Sequence, residues 1–131
     1  MTATKSSNMP MTVRPRVKLW LESQEESVLC SGLCSMLRAV EETGSIKHAA
    51  KQVDRSYRFV WARIKEAEEA LGQTLVETQV GGSGANRSEL TDLARDLLRE
   101  FDDLRSEVYH LVDNVFTKRL NKTLSKHQRP K

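Results

Sequence analysis

Apolar and polar positions change rhythm several times along this chain. Between Val13 and Glu22 they alternate, with Val13, Val17, Leu19 and Leu21 on one face and Arg14, Arg16, Lys18 and Trp20 on the other. That period of two predicts a strand. The polar stretch "SQEES" reads as a turn and "VLC" as the return strand of a hairpin. From Leu33 the spacing becomes helical, through Met36, Leu37 and Val40, with Gly44 at the C-terminal side. Ser45 can cap a second helix from Ile46 to Val53, whose small Ala49–Ala50 pair permits close packing. The pattern breaks for about three residues and restarts at Ser56. The third helix then runs to Leu71 and is closed by Gly72, with Val60, Ile64, Ala67 and Leu71 as its inward stripe. "TLVETQV" reads as a strand, "GGSGANRS" as a loop and "ELT" as its return. Thr91 caps the longest helix. From Leu97 its apolar residues fall at Leu97, Phe101, Leu104, Val108, Leu111 and Val115, in steps of 4, 3, 4, 3 and 4. Such a heptad seam predicts pairing with another helix.

Two short helices joined by a tight turn, the second one basic, form a helix-turn-helix unit. Around the third helix the core stripe occupies one side, and Arg58, Ala62 and Lys65 lie nearly opposite. Tyr57 and Trp61 occupy one flank, Phe59 and Arg63 the other. A major groove admits one such helix. A small residue like Ala62 allows close approach, an arginine can pair with guanine, and tyrosine and lysine suit phosphates. The broken pattern is thereby explained: the second helix braces and the third reads. A β-unit with a glycine-rich tip directly after it stands where a wing would.

Charge sharpens this picture. Residues 45–65 hold Lys47, Lys51, Arg55, Arg58, Arg63 and Lys65 against Asp54 alone. The stretch from Lys118 onward has six basic residues and no acid, whereas Thr91–Thr117 has seven acids and three arginines. Basic blocks separated by an acidic helix point to a polyanion-facing surface on a body that repels polyanions elsewhere. The chain of 131 residues suits one domain with a real core. With no apolar run of membrane length and no signal-peptide block at its start, a cytoplasmic location is expected.

The order of these elements resembles the winged helix-turn-helix of LysR-type regulators, and more closely the N-terminal DNA-binding domain of the ModE-type molybdate-responsive regulators. The residues carrying the likeness are "KLWLE", "ETGSIKHAAKQV", "SYRFVW" and "LVETQVGGSGANRSELT", and the resemblance covers about residues 13 to 117. The resemblance implies that Ser56, Tyr57, Arg58 and Lys65 face double-stranded DNA. It also implies that Lys47, Ser83, Asn86 and Arg87 approach its backbone or minor groove, and that the long helix makes a homodimer. Two departures stand out. Ala85, Asn86 and Arg87 replace further wing glycines, and Arg55 stands in the turn where an apolar residue usually plugs the core, which implies either a looser turn or an extra phosphate contact. The chain ends soon after the long helix, so neither the oxyanion-binding domain nor a molybdate cofactor is expected.

The expected fold is mainly α with a small β component: a winged helix-turn-helix with an N-terminal β-hairpin and a long C-terminal dimerisation helix. Residues 1–12 read as a disordered tail, 13–90 as the DNA-binding domain, 91–117 as the dimerisation helix and 118–131 as a basic tail that frays. Cys30 and Cys34 read as small core residues, and His48, His110 and His127 are too scattered for a metal site. No serine–histidine–acid set or paired-carboxylate cleft suggests an enzyme. The expected function is a sequence-specific transcriptional regulator that binds a two-fold symmetric site. The alternatives are an interaction module whose long helix pairs with an effector-carrying partner protein, and a sequence-indifferent architectural DNA binder.

Overall fold

A computed structural model describes residues 12–80 and 86–127. The elements in order are β1 (Leu21–Ser23), β2 (Glu26–Leu29), α1 (Ser31–Thr43), α2 (Ile46–Gln52), α3 (Tyr57–Leu71), β3 (Val76–Val80), β4 (Asn86–Leu90) and α4 (Asp92–Phe116). A π-helical turn (Thr117–Asn121) and a last short helix, α5 (Lys122–Lys126), follow. The chain divides into two units: Leu19–Asp103, and the stretches Met1–Lys18 and Leu104–Lys131.

The helix ends of the first unit are set by local chemistry. Ser45 Oγ accepts the His48 N–H at 2.9 Å and Ser56 Oγ accepts the Phe59 N–H at 3.0 Å, so two of the otherwise unpaired first-turn donors are satisfied. Gly44 and Gly72 close α1 and α3 in the left-handed conformation, at φ 79° and 69°. Leu33, Leu37 and Val40 of α1, Ala49 of α2, Val60 and Ile64 of α3, Leu75, and Ala94 and Phe101 of α4 make one buried core. Thr91 hydroxyl accepts the Ala94 N–H at 3.2 Å, capping α4, and donates to the Thr74 carbonyl at 2.9 Å.

Several sequence expectations need correction. The alternating stretch from Val13 is not a strand until Leu21. Leu21 already stands opposite Leu29, where β2 ends before α1 begins, so Val13–Trp20 has no strand to pair with, and Pro15 lacks an N–H. The turn is tighter than "SQEES": Gln24 and Glu25 alone take positive φ, 54° and 69°, as a two-residue hairpin loop requires. β4 starts at Asn86, so Asn86, Arg87 and Ser88 belong to a strand rather than a loop. The heptad seam divides. Phe101 is 2% exposed and Leu97 packs on the same core, so both serve their own unit rather than a dimer surface. Leu104, Leu111 and Val115 are exposed and Val108 is half-buried. A helix that covers a core at one end keeps the same spacing at the other, so periodicity cannot separate the two uses. The chain also stays helical through Lys126, where fraying was expected. The expected tail over residues 1–12 falls almost wholly outside the described residues.

Candidate nucleic-acid interface

The turn between α2 and α3 sets the geometry of the site. Asp54 takes a left-handed φ of 60°, and the Arg55 N–H donates to the Ala50 carbonyl at 2.9 Å. Val53 packs against the core, so the apolar plug of this turn stands two residues before Arg55. Arg55 is thereby released to the surface, where its guanidinium lies 4.6 Å from the centre of the Phe59 ring.

From this turn α3 presents its first two turns outward. Tyr57 is 52% exposed, Trp61 43%, and Arg58 is exposed; Ala62 is half-buried between them. Lys65 lies 3.2 Å from Glu68 and 5.6 Å from the Trp61 ring centre. Lys47 and Lys51 of α2 are exposed, and neither they nor Arg58 has an acidic partner among the described residues. Ser56 is exposed, but its hydroxyl is engaged as the α3 cap, so its contribution to the surface is positional. Arg63 turns the other way, toward Glu66 at 2.7 Å and Cys30 Sγ at 3.8 Å.

The β3–β4 hairpin stands beside this helix as a wing. Glu68 of α3, only 13% exposed at its side chain, accepts the N–H groups of Leu75 and Val76 at 2.8 and 3.0 Å and so clamps the root of β3. Ser88 N–H donates to the Gly44 carbonyl at 2.8 Å, tying β4 to the corner between α1 and α2. Between α3 and the wing lies a groove of about 890 Å³. Ser45, Lys47 and His48 of the α2 start, Tyr57, Trp61 and Lys65 of α3, and Thr78 and Ser88 of the wing line it. Thr78 and Ser88 share a hydroxyl bond at 3.2 Å, while Glu77 and Glu89, paired on the alternate face of the hairpin, are exposed. Negative charge is thus kept on the face of the wing that does not line the groove.

Sequence reasoning missed the groove positions of Trp61, His48, Thr78 and Ser88, and the clamp of Glu68. Only tertiary contacts assign those roles; the period-two pattern of β3 and β4 was the one available signal for Thr78 and Ser88. Arg87 is exposed on β4, opposite Gln79. Ser83 lies outside the described residues, and Asn86 is placed only by its strand. Cys30 is the N-cap of α1. Burial pushes its thiol up, but the N–H groups of Leu33 and Gly32, together with Arg63, outweigh this and hold it below the ordinary thiol value. No helix among the described residues is long and apolar enough to cross a membrane.

The family model of the bacterial regulatory helix-turn-helix protein, lysR family, matches residues 33–95. The molybdenum transport protein ModE of Herbaspirillum seropedicae is 34% identical over 71 residues, 54% of this chain and 26% of that protein. ModE of Azotobacter vinelandii is 29% identical over 104 residues, covering 79% of this chain and 38% of its own. The DNA-binding transcriptional dual regulator ModE of Escherichia coli is 28% identical over 90 residues, 69% of this chain and 34% of its own. The chain thus spans less than two fifths of the length of these relatives. Residues 33–95 are thus similar to the helix-turn-helix domain of the lysR family, and the relatives of this chain include ModE proteins.

Proposed function

We propose that this protein is a cytoplasmic DNA-binding transcriptional regulator that reads double-stranded DNA with α3 and acts as a homodimer. The observation that carries this reading is the outward face of α3 and the α2 start: Tyr57, Arg58, Lys47 and Lys51 project, and among the described residues no acid neutralises the cations. Arg58 reaches base edges in the major groove, where its fork suits guanine. Lys47, Arg55, Tyr57, Lys65 and Arg87 contact phosphates and set the register. Ala62 leaves room for the helix backbone to approach, and the Ser56 cap fixes where the helix begins. Asn86 at the start of β4, together with Ser83 before it in the sequence, completes the contact on the flanking groove. No cofactor or metal enters the reading, since charge and hydrogen bonding on this face supply the affinity.

The exposed residues Leu104, Leu111 and Val115 support dimerisation, because monomers seldom leave a regular apolar stripe in water. A dimer places two α3 helices about 34 Å apart, one turn of DNA, so the target has two-fold symmetry. The test is selection of bound duplexes from a random pool at near-physiological salt. Enrichment of a two-fold symmetric motif supports a dimeric, sequence-reading regulator. Binding without enrichment indicates an architectural protein, and no binding, with a second protein retained on α4, indicates an interaction module.

A further inference from the structure

Past Asp113 the sequence holds no acid, while Lys118, Arg119, Lys122 and Lys126 follow one another closely. The π turn and α5 keep all four on helical backbone, and all four are exposed. Lys118, Lys122 and Lys126 recur every four residues. In an α-helix such a step overshoots a full turn by about 40°. Across Thr117–Asn121 the π turn closes over more residues and takes up most of that drift. The three lysines therefore form one row along the helix, spaced about 6 Å apart, with Arg119 at its edge. Leu120 and Leu124, each two residues from a lysine, fall on the opposite face.

Helix stability alone does not account for this row. A helix C-terminus attracts cations, but the effect fades within the last turn. It explains Lys126, beside the C-cap at His127, and not Lys118 or Arg119 two turns earlier. Like charges four residues apart weaken a helix, and no acid pairs with these four cations among the described residues. The row thus carries a repulsion that a polyanion would relieve. A DNA duplex offers one phosphate per strand for every ~3.4 Å of its axis, so each lysine of the row can reach one. An anionic membrane is the poorer match. A helix lying in a membrane buries a broad apolar face, whereas Leu120 and Leu124 share theirs with Thr117, Asn121, Thr123 and Ser125.

We propose that Lys118, Lys122 and Lys126 form a second DNA site, a row that neutralises backbone phosphates and reads no bases. This rests on the DNA-binding reading above and adds to it a sequence-indifferent contact. The experiment measures duplex affinity of the full chain by fluorescence anisotropy, from about 100 to about 400 mM salt. Both the preferred duplex and an unrelated one are used. Charges more than about 10 Å from the DNA are screened over this range, so the slope of log K against log salt counts phosphate contacts. The test variant is Lys118→Gln with Lys122→Gln and Lys126→Gln; glutamine keeps the helix propensity of lysine, and circular dichroism checks it. Each lost contact flattens the slope by about 0.9, so the variant loses about 2.7 on both duplexes and keeps its base preference. Arginine at the same three positions holds the slope within about 0.5 of the parent. A loss below about 1.8, two contacts' worth, overturns the row, as does a loss confined to the preferred duplex. An unchanged slope with lysine-dependent retention on phosphatidylserine vesicles overturns it in favour of a membrane surface. If the row variant binds like the parent while Arg58→Ala is weakened, the row falls and reading by α3 stands. A parent chain that binds no duplex overturns both.

Discussion

Replacing Glu68 with alanine tests how the wing is held to the reading helix. Its carboxylate accepts two backbone N–H groups, those of Leu75 and Val76, at 2.8 and 3.0 Å. Both residues are buried, at 0% and 6% exposure, so water cannot readily replace the lost acceptor. A hydrogen bond to a charged group contributes about 1.5–3 kcal/mol, and the two share one carboxylate, so about 3 kcal/mol is expected rather than the full sum. The ion pair with Lys65, whose lysine end stands in solvent, adds little to this. For a unit the size of Leu19–Asp103, about 3 kcal/mol corresponds to a fall in Tm of roughly 12–24 °C. Urea unfolding followed by circular dichroism measures the change, with exposed Glu69→Ala as the control. Glu68→Gln keeps one acceptor and loses the charge, and should fall between the two. A Glu68→Ala protein within about 0.5 kcal/mol of the parent would refute the clamp.

Three further outcomes follow from the same structure. Phe101→Ala removes a core side chain and should cost about 3–5 kcal/mol in urea unfolding, whereas Leu111→Ala, 62% exposed, should leave the stability of the Leu19–Asp103 unit within about 0.5 kcal/mol. Equal effects would contradict the division of the seam. Gly44→Ala meets no atom within 4 Å but must hold a φ of 79°, so its cost of about 1 kcal/mol is backbone strain alone; an unchanged Tm would count against this. Because the Cys30 thiol is held below its ordinary value, its alkylation by iodoacetamide should reach half-maximal rate at a lower pH than a free cysteine. Arg63→Ala should move that midpoint up, and buried Cys34 should stay unmodified in the folded protein.

The helices were legible because their signals are local. Ser45, Ser56, Gly44 and Gly72 cap and stop chains within a few residues, and the stripe of Val60, Ile64 and Ala67 follows directly from the helix period. The alternation from Val13 misled because a strand needs a partner, and β2 has none to give beyond Leu29. Phe101 misled because its heptad spacing is the same whether it faces its own core or another chain. The outward face of Arg58 and Lys65 could be read from a wheel, whereas the groove cannot, since it depends on where Thr78 and Ser88 fold back beside Trp61. The Glu68 clamp joins a helix to a strand through an ordinary-looking acid in a charged helix, and nothing in its neighbours along the chain distinguishes it from Glu66 or Glu69.

The most direct test of DNA reading by α3 compares Arg58→Ala with the parent on the preferred duplex and on duplexes changed one base pair at a time. If α3 enters the major groove, the variant loses about 1–3 kcal/mol on the preferred site and its discrimination at one position per half-site, while its affinity for unrelated DNA changes little. Unchanged affinity and unchanged base preference would mean that another surface reads the DNA.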